Sequence, residues 1–158
     1  MNLRIGQGID FHRLEKGLNL WLGGINVPSE KGCVAHSDGD VLIHSICDAL
    51  LGAAGLRDIG FHFPDNDPQY KNIDSKILLS KTYTLIKEKG FGVINIDCTI
   101  CIEKPKISSF IPEMRKTISS LIDTETDNVA IKATTTEQLG FTGREEGIMA
   151  LAVALISR

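Results

Sequence analysis

This 158-residue sequence lacks two features that are common in membrane proteins and nucleic-acid-binding proteins. It contains no continuous run of about 18 apolar residues, the minimum for a membrane-spanning helix, and its first residues enter a strand pattern without the apolar core of a secretory signal. Lys and Arg number 17 against 20 Asp and Glu, so the net charge is −3. The chain therefore has no excess of positive charge with which to bind nucleic acid or an anionic membrane. We expect a cytoplasmic protein that binds neither.

Cysteine is also scarce, with 4 residues in the chain. Cys98 and Cys101 lie in a segment that alternates like a strand, where a separation of three places their side chains on opposite faces. Cys47 belongs to an apolar helical stretch, and Cys33 has no partner nearby in the sequence. The pattern predicts free thiols in a reducing compartment rather than disulfides or a structural zinc site.

The common nucleotide-binding loops are missing as well. The sequence has no Walker loop, and Gly6-Gln7-Gly8 is followed by Phe11 where a dinucleotide fingerprint has its third glycine. This excludes the two most frequent ways of binding a nucleotide phosphate. A phosphate ligand would have to be held in another way.

No repeat, low-complexity tract or linker divides the chain, so we predict one domain, residues 1–158. Hydrophobic periodicity predicts an α+β fold: a mixed sheet with helices on one face, in strand-helix-strand-strand-helix-strand order. The predicted strands are 4–12, 91–103, 128–134 and 147–157, with a hairpin at 18–28 that turns at Gly23-Gly24. The predicted helices are 41–56, 74–89 and 112–121, and residues 57–68 are predicted to form an acidic loop.

The last predicted strand, residues 147–157, is apolar at nearly every position. Both of its faces should therefore be covered. A central position in a sheet under helices would explain this pattern, and so would a contact with a second subunit. The sequence favours neither explanation.

Asp10, His12 and His44 are predicted to form one metal site. Asp10 and His12 are two residues apart in a strand and so point to the same face, and His44 falls in the first turn of the helix predicted at 41–56. An Asp-x-His pair is also typical of a surface charge pair, but three of the 4 histidines fall in the first third of the chain. Two imidazoles and one carboxylate leave the fourth position of zinc open, as in catalytic sites.

Two segments have residues suited to phosphate. Lys104-Pro105-Lys106 ends a predicted strand with two ammonium groups on a stiff turn. The second segment, residues 132–147, contains three consecutive threonines at 134–136, followed by Glu137, which offers an oxygen ligand for Mg²⁺ or Mn²⁺. A solvated turn and a helix cap are the alternative interpretations of these segments.

Taken in order, these motifs resemble one family. They are Gly8-x-Asp10-x-His12, Ala35-His36-Ser37-Asp38-Gly39-Asp40, His44, Asp48 to Ala54, Asp58-Ile59-Gly60, Phe63-Pro64-Asp65, Pro105-Lys106, Lys132 to Glu137 and Gly140 to Arg144. In this order and spacing, over nearly the whole chain, they are similar to the 2-C-methyl-D-erythritol 2,4-cyclodiphosphate synthase family. The resemblance implies a homotrimer of compact α+β subunits with active sites at the subunit interfaces.

The resemblance also implies residue roles and cofactors. Zn²⁺ would be held by Asp10, His12 and His44, and a second ion, Mg²⁺ or Mn²⁺, by Glu137 and the substrate diphosphate. Thr135 and Lys132 would assist catalysis. The implied substrate-binding residues are His36, Ser37, Asp58, Ile59, Gly60, Phe63, Asp65, Asp67 and Lys71 on the methylerythritol phosphate side, and Pro105, Lys106, Ala133, Thr134 and Thr135 around the cytidine diphosphate. Phe141 and Arg144 would lie near an axial cavity that binds an isoprenoid diphosphate.

The implied reaction converts 4-diphosphocytidyl-2-C-methyl-D-erythritol 2-phosphate to the 2,4-cyclodiphosphate and CMP in the non-mevalonate isoprenoid pathway. Two alternatives stay open at this point. The same ions would serve a phosphodiesterase or phosphatase that activates water, or zinc would have a purely structural role in a trimeric module. The structural role requires a fourth protein ligand, and the sequence offers no compelling one, since His36 and His62 would have to fold back toward the site.

Overall fold

The computed structural model describes residues 2–158 and is built on a five-stranded mixed sheet. The strands are β1 (Leu3–Lys16), β2 (Leu20–Leu22), β3 (Ile25–Val27), β4 (Lys31–Val34), β5 (Gly92–Cys101), β6 (Val129–Thr134) and β7 (Gly147–Ser157). The sheet order is β4-β1-β7-β5-β6, in which β5 and β6 are parallel and the other neighbours antiparallel. The strands β2 and β3 form a separate hairpin that turns at Gly23-Gly24, as predicted.

Helices connect the strands of this sheet. They are α1 (Val41–Ala54), α2 (Ile59–His62), α3 (Ser75–Glu88), α4 (Ile111–Leu121) and α5 (Gly140–Gly143), with 3₁₀ turns at Pro68–Tyr70, Ser108–Phe110 and Thr126–Asn128. The predicted α+β class and mixed sheet are confirmed. Within residues 2–158, none of the helices combines the length and apolarity needed to cross a bilayer.

The start of α1 is fixed by one buried carboxylate. Asp40 is fully buried and accepts the N–H of Ile43 at 2.9 Å, which caps the helix. The same carboxylate accepts the N–H groups of Gly23 and Gly24 from the β2–β3 turn, at 3.0 and 2.7 Å. The helix ends at Ala54, two residues before the predicted end, because Gly55 adopts a left-handed conformation (φ 69°).

Close contact between β1 and α1 depends on two glycines. A Cβ atom at Gly6 would lie 1.9 Å from the carbonyl oxygen of Ala49, and one at Gly8 would lie 1.9 Å from that of Ser45. Any larger residue would therefore push the helix away from the strand. On the neighbouring strand β7, alanines at 150, 152 and 154 are fully buried and give α1 the same close access.

The two faces of the sheet differ sharply. Strand β7 lies at the centre of the sheet, and its residues of one parity are buried under the helices, which explains one of its two apolar faces. Residues of the other parity are only half-buried and lie beside exposed apolar side chains of β1. The exposed set comprises Leu3, Ile5, Ile9 and Phe11. We call this surface the open face.

Several details of the predicted fold were wrong. The main elements β1, α1, α3, β5, α4, β6 and β7 follow the order strand-helix-helix-strand-helix-strand-strand, not the predicted strand-helix-strand-strand-helix-strand. Strand β1 extends to Lys16, beyond the predicted end at residue 12, because its last four residues pair with β4, which was not predicted. The predicted loop at 57–68 contains α2, where Asp58 caps the helix by accepting the N–H of Phe61 at 2.9 Å. Helix α5 was not predicted either. These elements depend on side-chain caps or on pairing with distant residues, to which hydrophobic periodicity is insensitive.

The four cysteines are free thiols. Cys98 is buried under the helices and Cys101 is half-buried on the open face, so the predicted opposite orientation is confirmed. Burial raises the pKa of Cys33, Cys47 and Cys98 to about 12.

Candidate metal centre

Asp10, His12 and His44 come together where β1 meets the first turn of α1. Asp10 and His12 follow Gly6 and Gly8 at alternate positions of β1, so all four face the helices rather than the open face. His44 projects toward them from α1, whose close approach to the strand the glycines permit. The predicted grouping of the three residues is confirmed.

The distances suit a metal ion. Oδ2 of Asp10 lies 3.0 Å from Nδ1 of His12 and 3.1 Å from Nδ1 of His44. Two ligands of a tetrahedral zinc ion, each bonded at about 2.0–2.2 Å, are separated by about 3.3 Å. Nδ1 of His12 is buried and, among residues 2–158, has no hydrogen-bond partner, because its contact with Asp10 is not aligned as a hydrogen bond. A bound cation would satisfy this buried nitrogen.

The electrostatics of the centre favour a cation. Burial raises the pKa of Asp10, but its close contacts with His12 and His44 and the charges of these two residues outweigh this and lower the pKa to about 2. Burial lowers the pKa of His44, whereas its hydrogen bond to Asp10 and the nearby negative charges raise it, and the net change is upward. Asp10 is therefore ionised at neutral pH and attracts positive charge from either a proton on His44 or a metal.

A cavity of 340 Å³ opens beside the centre. Six of the predicted substrate-binding residues line it: His36, Ser37, Ile59, Gly60, Phe63 and Asp65. The cavity is also lined by His12 and His44, so a ligand bound there would touch the metal ligands. This arrangement places the predicted methylerythritol phosphate residues next to the predicted zinc site.

Three other predicted residues are not among those lining this cavity. Asp58 caps α2. Asp67 caps the next 3₁₀ turn, where it accepts the N–H of Gln69 at 3.0 Å. Lys71 follows that turn and is exposed. In this conformation these three residues shape the loop around the cavity.

A second polar cluster forms where β5 and β6 end. Pro105, Lys106, Ala133, Thr134 and Thr135 line a cavity of 290 Å³ there. The neighbouring Glu137 accepts a hydrogen bond from the hydroxyl of Thr135 at 2.9 Å, which leaves its carboxylate at the exposed rim. The cavity unites the five residues predicted to surround the cytidine diphosphate.

Glu103, which the sequence analysis did not select, organises the loop after β6. Its Oε1 accepts the backbone N–H groups of Thr136 and Gln138 at 2.9 and 3.2 Å. The adjacent Glu137 and Gln138 have positive φ angles of 53° and 65°, which few non-glycine residues adopt. Glu103 therefore holds the strained turn that presents Glu137.

Lys132, Phe141 and Arg144 line neither of these two cavities. Lys132 forms an ion pair with Asp97 between exposed positions of β6 and β5. Phe141 packs edge-on against Phe11 with ring centroids 5.9 Å apart, and with Arg144 it lines a third cavity, of 630 Å³. Arg144 makes two hydrogen bonds of 3.0 Å to Glu146, so its guanidinium is paired in this structure.

The metal centre and the second cluster are separated within one chain. Phe11, Met149, Cys101 and Thr134 are register partners across β1, β7, β5 and β6. Three strand spacings therefore separate Phe11, next to His12, from Thr134, which corresponds to about 14 Å. The cavities at the two clusters share no lining residue.

Comparisons with known proteins agree with this architecture. A family model, the YgbB family, matches residues 3–157. The chain belongs to the YgbB family. The 2-C-methyl-D-erythritol 2,4-cyclodiphosphate synthase of Bacteroides fragilis is 58% identical over 158 residues, 100% of this chain and 99% of that protein. The synthase of Porphyromonas gingivalis is 58% identical over 153 residues, 97% and 94% of the two chains.

Solved structures give the same result for this YgbB chain. A 2C-methyl-D-erythritol-2,4-cyclodiphosphate synthase in its CDP-bound form is 35% identical, with a TM-score of 0.90 over 98% of this chain and 100% of that one. The family resemblance inferred from the motifs is thus confirmed.

Sequence reasoning missed several residues of the YgbB site besides Glu103. Tyr70, Ile73 and Leu78 line the cavity beside the metal centre, and Tyr70 packs edge-on against Phe63 with ring centroids 5.6 Å apart. These residues follow the predicted acidic loop, and Leu78 lies in α3. Their apolar character is the only sequence signal for them, and it does not say which cavity they reach.

Proposed function

We propose that this chain is a 2-C-methyl-D-erythritol 2,4-cyclodiphosphate synthase, a metal-dependent phosphorus-oxygen lyase of the non-mevalonate isoprenoid pathway. One observation carries the proposal: the Asp-His-His centre opens onto a cavity in a chain that is 58% identical, over its full length, to a protein of that name. In this proposal residues 1–158 are one synthase domain that acts in the cytoplasm.

The reaction is an internal phosphoryl transfer. An oxygen of the substrate's 2-phosphate forms a bond to the β-phosphorus, the bond from that phosphorus to the α,β-bridging oxygen breaks, and CMP leaves with the electron pair. Because the attacking phosphate is already an anion, no basic side chain has to activate it. The protein's tasks are therefore to align the reacting groups and to neutralise charge.

The metal centre fits a zinc ion in number, type and spacing of ligands. Asp10, His12 and His44 would hold it with three bonds and leave the fourth position for a phosphate oxygen. A bound Zn²⁺ would supply positive charge that polarises the phosphate and offsets the repulsion between two apposed phosphates. The ionised Asp10 contributes to cation affinity, since its pKa is lowered to about 2.

The cavity beside the zinc site would hold the methylerythritol phosphate. His36 and Ser37 approach it from the segment before α1, and Asp65 from the loop after α2. Phe63, Tyr70 and the other apolar lining residues would limit the access of water to the β-phosphorus. We propose that residues 61–71 close over the substrate, with Asp58, Asp67 and Lys71 adjusting position at that stage.

The second cavity would hold the cytidine diphosphate. Thr134 and Thr135 place hydroxyl groups at its rim, and Lys106 offers an ammonium group. Glu137 would ligate a second ion, Mg²⁺ or Mn²⁺, together with the diphosphate. We also propose that Lys132 assists by holding Asp97, on the adjacent strand, away from the phosphates.

The separation of the two clusters supports a homotrimer with interfacial active sites. A separation of about 14 Å within one chain is too long for one compact diphosphate group to contact both clusters directly. A neighbouring subunit would place its second cluster opposite the zinc site of this one. The open face, with Ile5 71% exposed and Phe11 51% exposed, supplies the apolar surface that such an assembly would bury.

The third cavity would bind an isoprenoid diphosphate at the trimer axis. Phe11 and Phe141 line it with apolar surface, and Arg144 offers a cation for the diphosphate. In this proposal the ligand competes with Glu146 for Arg144. Unchanged thermal stability and unchanged activity on addition of geranyl diphosphate would contradict it.

Phosphorus NMR tests the proposed function directly. Purified protein is incubated with 4-diphosphocytidyl-2-C-methyl-D-erythritol 2-phosphate and Mg²⁺ while the products are followed. Cyclic diphosphate together with CMP supports the synthase. Linear phosphates would indicate a hydrolase, and unchanged substrate in a zinc-loaded sample would indicate that the zinc is structural.

The zinc assignment has its own test. The variant His44→Ala should stay folded, contain about one equivalent less zinc per chain and lose nearly all turnover, because one of three ligands is removed. His62→Ala is the matched control, since His62 contacts the carbonyl oxygen of Leu56 at 2.7 Å and lies outside the centre. Equal zinc content in the two variants would refute the assignment.

A further inference from the structure

The side of His44 that faces away from Asp10 has polar partners of its own. Nε2 of His44 lies 3.0 Å from the hydroxyl oxygen of Ser75, the first residue of α3. That hydroxyl donates a hydrogen bond to Oδ1 of Asp38. Asp38, Ser75 and His44 therefore form a chain of contacts that ends at the metal centre.

Counting hydrogens fixes the direction of these bonds. The hydroxyl of Ser75 has one hydrogen and the carboxylate of Asp38 has none, so Ser75 donates to Asp38. Ser75 can then only accept from His44, which requires a hydrogen on Nε2. Without a metal, Nδ1 donates its hydrogen to Asp10 at 3.1 Å. A cation in the metal position would replace that hydrogen and bind the lone pair of Nδ1 in the neutral imidazole.

The chain of contacts is built into the fold. Ser75 is fully buried, and its backbone N–H donates to the other oxygen of Asp38 at 2.9 Å. The segments that hold the two residues are also joined by backbone hydrogen bonds, from Asp38 to Ile73 at 3.1 Å and from Asn72 to His36 at 2.7 Å. Asp38 and Ser75 are thus held in place by hydrogen bonds that do not involve a metal.

We propose that Asp38 and Ser75 are positioning residues that hold His44 as the Nε2–H tautomer and orient Nδ1 toward zinc. This inference rests on the proposed zinc enzyme and extends it to two residues outside the ligand set. Ser37 is a weaker second partner: its hydroxyl oxygen lies 3.2 Å from Nε2 and also accepts the N–H of Gly39 at 3.1 Å. Ser75 differs because Asp38 takes its only hydrogen.

Zinc affinity and ¹⁵N NMR of the zinc-loaded protein test the proposal. In the wild type, ¹⁵N shifts of His44 should show zinc on Nδ1 and a slowly exchanging hydrogen on Nε2. The variant Ser75→Ala should bind zinc about 10- to 100-fold more weakly, the usual effect of removing an outer partner of a metal ligand. Its Nε2 hydrogen should also exchange faster. At saturating zinc the stoichiometry should be unchanged, because all three ligands are still present.

The control is Ser45→Ala. Ser45 is as fully buried as Ser75 and follows His44 in α1, but its hydroxyl donates to the carbonyl of Leu42 at 2.8 Å. This control should keep the wild-type zinc affinity within about twofold, since no partner of a ligand is lost. A folded Ser75→Ala variant with the same zinc affinity as Ser45→Ala would overturn the proposal.

Zinc bound through Nε2 of His44 in the wild type would also overturn it, and this measurement decides the matter even if Ser75→Ala does not fold. The outcome is independent of the proposed reaction. A wild-type protein that shows the predicted His44 signals but forms no cyclic diphosphate would refute the synthase and leave the positioning role intact. If the wild type forms the cyclic diphosphate but folded Ser75→Ala binds zinc as tightly as the wild type, the positioning role is refuted and the synthase is supported.

Discussion

Replacing Gly8 by alanine should disrupt the metal centre from a distance, because this glycine sets the spacing between β1 and α1. The new Cβ would lie 1.9 Å from the carbonyl oxygen of Ser45, whereas ordinary contact begins at 3.4 Å. The helix would therefore have to move by about 1.5 Å, the difference between these distances. His44 is on the same turn as Ser45, so it would move with the helix.

The magnitude follows from the ligand distances. A shift of this size would lengthen the contact between Nδ1 of His44 and Oδ2 of Asp10 from 3.1 Å toward about 4.6 Å. Two zinc ligands are separated by about 3.3 Å, so one bond would be lost or strained. Overpacking of this kind costs about 1–3 kcal/mol or more in unfolding free energy, which lowers Tm by several degrees in a domain of this size.

The assay combines zinc affinity, measured by competition with a chromophoric chelator, with thermal unfolding. We expect Gly8→Ala to bind zinc at least about 10-fold more weakly and to have a lower Tm. Gly52→Ala is the matched control, because a Cβ there meets only the carbonyl oxygen of Gln7, at 4.0 Å. Within helix α1 it should raise stability by about 0.5–1 kcal/mol. Wild-type zinc affinity and Tm in Gly8→Ala would refute the reasoning.

Three further predictions concern the cap of α1, the open face and the thiols. Asp40→Ala leaves three backbone N–H groups without their acceptor and should lower the unfolding free energy by about 3 kcal/mol or more in urea titrations; a loss below about 1 kcal/mol would contradict this. Ile5→Asp should give inactive monomers by light scattering, whereas Ile77→Asp, at an exposed isoleucine of α3, should not change the assembly; a normal trimer from both variants would exclude the open face as the interface. In the native protein an aromatic disulfide reagent should not modify Cys33, Cys47 or Cys98 until the chain unfolds, because burial blocks access and raises the pKa of these thiols to about 12. Rapid labelling of these cysteines in the native protein would disprove their burial.

Some of the site could be predicted because it depends on local geometry. Asp10 and His12 share a face because strand side chains alternate, and their partner His44 follows a helix start that Asp40 marks. The family resemblance added the residues of both cavities, and the structure brings together His36, Ser37 and Phe63 in one cavity and Thr134 and Lys106 in the other. Their roles in binding stay predictions.

Other features could not be predicted, since they depend on contacts between residues far apart in the sequence. Glu103 supports the turn at Glu137 across 33 or more residues, and a glutamate in a turn gives no signal of its own. Strand β4 was missed because its 4 residues acquire strand character only by pairing with the end of β1.

The sequence by itself determined the hydrophobic periodicity of the main helices and strands, the chemistry of the ligand set and the family, because these follow from residue type and spacing along the chain. Only the tertiary structure decided how close β1 and α1 come, which partner orients His44, and which face of the sheet stays uncovered. The physical reason is steric and electrostatic: backbone atoms at Gly8 and Ser45 must approach without a Cβ between them, and the hydrogen on His44 is set by a serine 31 residues further along the chain. Periodicity carries no information on either contact.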